Sequence, residues 1–262
     1  MRCYYPAMKN RYFLVLSFLG TRYHGWQSQK NAGSVQSQVS EALSVILKTR
    51  VTVTGAGRTD AGVHALEFYL HFDYAGILDG TAREKLISRL NGYLPSDIGV
   101  HGIFPVKPDA HARFSAISRT YQYILVRNKD PFWKERAYFL SVPLDVGQMN
   151  RAARILPETR DFSSFAKSPT DAKTPFCNVT RAFWNEDQNL LIFTITADRF
   201  LRNMVRAIVG TLIDTGRGKI APEDLPAIVE KKDRSAAGYS VPACGLYLVS
   251  IQYPPEIFSE AL

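Results

Sequence analysis

The strongest pattern in the sequence is a stretch, 66–74, in which a large apolar or aromatic side chain stands at every second position. Successive side chains of a β-strand point to opposite faces, so this alternation predicts a strand with one buried and one polar face. A single strand cannot cover its own apolar face, and the rest of the chain must supply a sheet and further layers. The alternating positions are Leu66, Phe68, Leu70, Phe72 and Tyr74.

Helical patterns alternate with further predicted strands along the chain. Ser34 is placed to cap a helix, because apolar residues recur at helical spacing directly after it. Thr81 and Glu84 match a capping box for a second helix, and Gly92 is suited to a left-handed helix end. Further strands are predicted near residues 12–19, 51–54, 99–104, 121–127, 190–196 and 246–253, with one helix capped by Asp145 and another over 199–215.

The order of these elements is typical of an α+β fold. Strands and helices recur in similar order in two halves, which predicts two related modules, 8–108 and 109–262, sharing a mixed sheet. Helices on one face of each sheet would leave the other face open to a ligand. Met8, directly before the first strand, is a second candidate for the start of translation.

Composition favours a nucleic-acid partner. The 262 residues carry a net charge of +8 at pH 7, with 31 aromatic side chains. Positive charge attracts polyanions, and aromatic rings supply flat surfaces on which bases stack. The alternative, a basic protein with an ordinary solvated surface, stays open on charge alone.

Cysteine and histidine usage argues against disulfides and metals. Cys3, Cys177 and Cys244 are too few and too scattered for a disulfide framework, which predicts reduced thiols in a cytoplasmic protein. The sequence has no paired cysteines and no HExxH motif, so we expect no zinc site. No apolar run reaches the roughly 18 residues that span a bilayer.

A glycine-rich connection, 55–65, lies between two predicted strands and reads GAGRTDAGVHA. Loops of this length with several glycines usually hold a site. Arg58, Asp60 and His64 are its groups capable of chemistry or of contacting a substrate. The pattern fits neither a dinucleotide-binding fingerprint, because the sixth position is Asp60, nor a phosphate-binding loop, because GK[ST] is absent. The alternative is a structural turn in which Asp60 bonds nearby amides.

The predicted helix over 199–215 carries a cationic face. At about 100° per residue, Arg199, Arg202, Asn203 and Arg206 fall within one sector, opposite an apolar side. Such arginines could grip phosphates, and one of them could pair with a carboxylate. The alternative is a solvated charged face.

Three further segments leave their roles open. Tyr121 and Tyr123 lie two apart on a predicted strand and share one face, where tyrosines are usually core or stacking residues. Residues 113–116 and 161–165 combine polar and aromatic side chains in loops. Each loop is compatible with RNA contact or with local packing.

Taken together, these residues resemble the TruA family of tRNA pseudouridine synthases. The glycine-rich loop resembles the family signature, and the other similar segments follow in the family's order across nearly the whole chain. The resemblance implies a mixed α+β fold of two similar modules with a central active-site cleft. The similar segments are 23–27, 55–65, 112–116, 161–165, 200–206 and 245–248.

The resemblance also implies roles for individual residues. Asp60 corresponds to the family's essential aspartate, which attacks the ribose or the base, or assists removal of a proton from the sugar. Arg206 corresponds to the arginine that pairs with this aspartate and keeps it ionised. Tyr121 corresponds to a tyrosine against the target base, Arg58 to an arginine that helps to extrude that base, and Leu246 to an apolar wall of the pocket.

The implied activity is an isomerisation without cofactor or metal, on uridines 38, 39 and 40 in the anticodon stem-loop of tRNA. The implied assembly is a homodimer that binds tRNA. Two alternatives stay open: a noncatalytic RNA-binding module, and a pseudouridine synthase acting at another RNA position.

Overall fold

The computed structural model describes residues 9–29, 32–167 and 173–259. These residues divide into two compact units, one reaching Ile117 and resuming at Ile251, the other covering Ser118–Ser250. The division at 108/109 expected from sequence stays a prediction. Cys3 and the possible start at Met8 lie outside the described residues. Within the described ranges, no helix is long and apolar enough to cross a membrane.

The first unit is built around antiparallel strands. In it, β1 pairs with β3 and with β4, and β2 pairs with β3. Two helices accompany these strands. The elements are β1 (Asn10–Phe18), α1 (Val35–Leu47), β2 (Val53–Gly55), β3 (His64–Tyr74), α2 (Gly80–Tyr93) and β4 (Ile98–Val106).

The second unit mixes strand directions. Its β5 is antiparallel to β8 and parallel to β6, and β7 pairs with β8. The last strand, β9 (Leu246–Gln252), begins in this unit and ends in the first. The other elements are β5 (Ser118–Val126), β6 (Tyr138–Phe139), α3 (Val146–Ala153), β7 (Val179–Asp187), β8 (Leu190–Ala197), α4 (Met204–Gly216) and α5 (Leu225–Glu230).

The α+β prediction is confirmed, and every strand expected from the sequence is present. Sequence reasoning missed the edge strand β7, because its buried residues, Val179 and Trp184, are five positions apart and do not follow a two-residue alternation. It also missed β6 and α5, which are too short to show a period.

The burial predicted for the strand over 66–74 is correct in the centre of the strand and wrong at Leu66. Phe68, Leu70 and Phe72 are completely buried, as the alternation predicts. Leu66 is 56% exposed. A bulge in β1 between Leu16 and Phe18 shifts the register opposite this end of β3, so the simple two-residue period does not hold there.

The helix caps show where local sequence decides the structure. Ser34 caps α1 by accepting the N–H of Ser37, and Asp145 caps α3, both as predicted. The capping box at Thr81 was wrong, because Asp79 caps α2 two residues earlier. Gly92 was also wrong as a helix end, since α2 continues through it and passes directly into extended backbone.

His71, expected on the polar side of its strand, is 7% exposed. Its Nδ1 accepts the N–H of Ala112 at 3.1 Å, which requires a neutral ring. Burial, reinforced by the positive charges of Arg11 and His111 and opposed by Asp73, lowers the pKa of His71 from 6.5 to about 4.

This lowered pKa predicts acid sensitivity. Between pH 6.5 and pH 4 the unfolded chain binds a proton at His71 that the folded protein excludes, so the free energy of unfolding falls as pH falls. The contribution reaches about 3 kcal/mol for a shift of this size. Urea denaturation at pH 7, 6 and 5 should show a shallower dependence on pH in His71→Asn than in the parent protein. Equal slopes would contradict the buried neutral histidine.

Candidate functional site

The loop over 55–65 leaves β2 and returns as β3, so its two ends are fixed by strand pairing. The N–H of Ala56 donates to the carbonyl of Tyr69 at 2.8 Å, which extends this pairing into the loop. The N–H of Val63 donates to the carbonyl of Asp60 at 3.2 Å and closes a turn. Arg58 is exposed and Asp60 is half-buried at the tip.

A second segment, 20–26, braces this loop. The N–H of Trp26 donates to Oγ1 of Thr59 at 3.0 Å, one residue before Asp60. Gly25 has φ +88°, and a Cβ there would overlap the carbonyl oxygen of Thr59. The indole of Trp26 lies 4.2 Å from the ring of Phe68, which fixes the brace to β3. The sequence showed this segment only through its family resemblance, because backbone contacts between distant segments leave no periodic pattern.

His64 is completely buried at the end of the loop. Its Nδ1 accepts the N–H of Gly20 at 2.9 Å. A Cβ at Gly20 would overlap the carbonyl of Val63, so the two segments touch backbone to backbone. This contact of His64 is internal and holds the loop, whereas the sequence predicts that His64 contacts the substrate.

The prediction of a cationic helix face over 199–215 was wrong in part. Helix α4 begins at Met204, and Asn203 before it is left-handed with φ +66°. Asp198 turns the chain upstream, since its Oδ1 accepts the N–H of Arg199 at 2.7 Å. The N–H of Lys167 donates to the carbonyl of Arg202 at 3.0 Å. Arg199 and Arg202 therefore lie in a turn before the helix, and Arg206 alone of the three arginines lies on it.

Arg206 holds a neighbouring segment, 238–242, against α4. Its Nε donates to the carbonyl of Val241 at 2.7 Å, and the N–H of Val241 donates back to the carbonyl of Arg206 at 3.3 Å. Asn203 adds a bond from Nδ2 to Oγ of Ser240 at 2.6 Å. A Cβ at Gly210 would overlap the carbonyl of Tyr239, so glycine is needed for this close approach. The plane of the Arg206 guanidinium is thereby fixed.

The tyrosine pair on β5 separates into two roles. Tyr123 is completely buried and its hydroxyl donates to the carbonyl of Pro242 at 2.7 Å, so it belongs to the core. Tyr121 is half-buried and meets the ring of Phe200 edge-on at 5.1 Å. Leu246 lies buried at the first position of β9, four residues after Pro242. In the second unit, the 238–242 segment thus bonds to Arg206 and to Tyr123, and Leu246 follows this segment in the chain.

The described cysteines and acidic groups offer little further chemistry. Cys177 and Cys244 are free thiols, and burial raises the pKa of Cys177 to about 12. A thiol with so high a pKa is a poor nucleophile at neutral pH. Across the parts of the chain that the structure describes, no three His, Cys, Asp or Glu side chains form a group able to hold a metal ion.

The arrangement supports chemistry by a single carboxylate. In the first unit, Asp60 sits on a loop fixed at both ends and braced at Thr59, with the cation Arg58 two residues away. In the second unit, a fixed guanidinium, a half-buried tyrosine ring and two exposed or half-exposed arginines are available. These are groups for positioning an anionic substrate and for nucleophilic or proton-transfer catalysis.

Comparison with known proteins gives the relationship of the whole chain. A family model described as tRNA pseudouridine synthase matches residues 152–254. A protein named tRNA pseudouridine synthase A from Bacteroides thetaiotaomicron is 49% identical over 253 residues, covering 95% of this chain and 93% of the relative. The protein of the same name from Porphyromonas gingivalis is 51% identical, covering 95% and 99%. That from Bacillus velezensis is 41% identical, covering 91% and 97%. Identity at this level over almost the full length of each relative places this chain in the tRNA pseudouridine synthase A family.

Proposed function

We propose that this protein is an isomerase that converts uridine to pseudouridine in tRNA. The proposal depends on sequence similarity: proteins named tRNA pseudouridine synthase A are 49% and 51% identical to this chain over 95% of its length. The braced Arg58-Thr59-Asp60 loop agrees with it, because a rigid carboxylate is what a positioned nucleophile or base requires.

The reaction breaks the bond between N1 of uracil and C1′ of ribose and forms one between C5 and C1′. The proton on C5 is released and N1 gains a proton, so the isomerisation needs no redox partner. We assign the central role to Asp60, which attacks the ribose or the base or assists removal of a proton from the sugar. Its braced position supports all three routes equally.

The remaining assignments follow the family correspondence and the local geometry. We assign Arg206 to pair with Asp60, as the family resemblance implies, and the bond from its Nε to Val241 restricts the guanidinium. Tyr121 would lie against the target base and Leu246 would line the pocket. Three arginines would contact the RNA: Arg58, which helps to extrude the base, and Arg199 and Arg202, which bind phosphates.

His64 does not enter the proposed RNA contact, because its ring is completely buried against Gly20. We propose instead that it keeps the loop in place for Asp60.

The target positions and cellular setting extend the same proposal. We propose uridines 38, 39 and 40 of the anticodon stem-loop as substrates, a cytoplasmic location where tRNA is available, and a homodimer as the working assembly. Mapping of pseudouridine in a modified transcript tests the positions, and light scattering tests the dimer. Modification confined to other positions would replace the substrate assignment while keeping the reaction.

The first prediction from this proposal concerns Asp60. Asp60→Asn should abolish tritium release from a tRNA transcript carrying uridine labelled at C5, because the amide is neither a nucleophile nor a base. Affinity for the same transcript should stay within a few-fold, since phosphate contacts dominate RNA binding.

Asp187→Asn is the matched control, because Asp187 is exposed at the last position of β7. It should release tritium at the rate of the parent protein. Tight transcript binding without any release by the parent protein would instead favour a noncatalytic RNA-binding module. Parallel loss of release and binding in Asp60→Asn would count against a catalytic role for this carboxylate.

The second prediction concerns Arg206. Arg206→Leu should lower the rate of tritium release at saturating tRNA by at least ten-fold. Its cost in stability should be about 1 kcal/mol, the usual value of one hydrogen bond, because the bond to Val241 is lost. Arg217→Leu, at the exposed end of α4, is the control and should change neither quantity strongly. A collapse of thermal stability in Arg206→Leu with a normal rate would show a purely structural residue.

A further inference from the structure

Phe114 is an exposed aromatic ring on an unusually well-held loop. Its side chain is 74% exposed, although Ala110 and Ala112 in the same loop are buried. Large apolar side chains that stand singly in solvent are common and need no explanation by themselves. The backbone that carries Phe114, however, is held by hydrogen bonds from several side chains.

Three side chains from other parts of the first unit, Arg11, His71 and Tyr253, hold the loop backbone. Arg11 donates from Nη1 to the carbonyl of Ala110 at 3.1 Å, and its guanidinium is itself fixed by two bonds to Asp73. The N–H of Ala112 donates to Nδ1 of His71, and its carbonyl accepts the hydroxyl of Tyr253 at 2.5 Å. Hydrogen bonds therefore hold the loop backbone at two residues, Ala110 and Ala112, that precede Phe114.

The loop also closes on itself. The N–H of His111 donates to Oγ of Ser115, and the N–H of Ser115 donates to the carbonyl of His111, both at 2.9 Å. Nδ1 of His111 accepts the N–H groups of Arg113 and Phe114, at 3.1 and 3.4 Å. These bonds fix the backbone of Phe114 itself.

The ring of Phe114 is supported from behind. The imidazole of His111 lies 4.4 Å from it, and the imidazole of His71 lies 4.6 Å behind that of His111. The guanidinium carbon of Arg113 lies 5.4 Å from the centre of the phenyl ring. His71 therefore meets His111 edge-on, His111 meets Phe114 at a tilt of 38°, and the guanidinium of Arg113 lies over the exposed Phe114 ring.

We propose that Phe114 is a stacking platform for an unpaired nucleobase of the tRNA substrate, with Arg113 adding an electrostatic attraction to the same nucleotide. This inference rests on the proposed function for its ligand. A nucleobase is the occupant that matches an exposed aromatic ring with a guanidinium close to it, on a protein with a net charge of +8. A fixed ring loses little conformational entropy when a base stacks on it, which favours binding.

The test measures affinity for an unmodified tRNA transcript and for a blunt RNA duplex of equal charge. Phe114→Ala should weaken binding of the transcript at least five-fold, the lower range of base–aromatic stacking, and change duplex binding less than two-fold. Phe114→Trp should retain transcript affinity, and Phe114→Leu should not, because the platform needs an aromatic face. The salt dependence of binding should be unchanged, since no phosphate contact is removed.

Phe132→Ala is the matched control, because Phe132 is 78% exposed in the second unit. It should bind the transcript like the parent protein. Equal loss of transcript and duplex binding in Phe114→Ala, or full retention of transcript binding, would overturn the platform. So would a change in molar mass by light scattering, which would identify Phe114 as a contact between protein chains.

Tritium release by the parent protein separates this inference from the proposed function. Release by the parent with unchanged transcript binding in Phe114→Ala refutes the platform alone. Absence of release, with transcript binding that still depends on an aromatic residue at 114, refutes the proposed reaction and supports the platform as an RNA-binding feature.

Discussion

Backbone contact without intervening side chains holds the glycine-rich loop, 55–65, of the first unit. Gly20 and Gly25 lie so close to Val63 and Thr59 that a Cβ at either glycine would overlap a carbonyl oxygen. Contacts of this kind leave little freedom on either side, because neither backbone can move without breaking its own hydrogen bonds. Asp60 follows Thr59 directly and is fixed as a result. In the proposed reaction, a carboxylate held in this way needs no rearrangement when the substrate binds.

In the second unit, close backbone contact at glycines likewise positions Arg206. Gly210 and Gly238 allow the segment over 238–242 to lie directly against α4, and Arg206 then bonds to Val241 in both directions. Small residues are therefore needed at positions that carry no chemistry themselves. The geometry of the charged side chains depends on these glycines, which bring the backbones together.

Neutral imidazole recurs as a support for loops in the first unit. His64, His71 and His111 each accept at least one backbone N–H through Nδ1. An accepting nitrogen needs a free lone pair, so each of these bonds requires the unprotonated ring at that atom. Burial lowers the pKa of His71 and His111, which keeps both rings neutral at physiological pH. These three histidines thus fix the backbone of two loops, His64 that of residues 55–65 and the other two that of residues 110–115.

Local signals were sufficient for the fold class and for several individual elements. The alternation ending at Phe72 and the caps at Ser34 and Asp145 depend on neighbours in sequence, so sequence alone determined them. The glycine-rich loop and its family resemblance likewise pointed to Asp60 without a structure.

Only the tertiary structure decided which chemical groups are presented and which are internal. It exposed Leu66 and buried His64. It also started helix α4 after the left-handed Asn203, so that Arg199 and Arg202 lie outside the helix. It also showed that Phe114 stands on a fixed loop held by Arg11, although the two are far apart in sequence. Contacts between distant segments set these outcomes, and such contacts leave no period or short-range motif in the sequence from which they could be read.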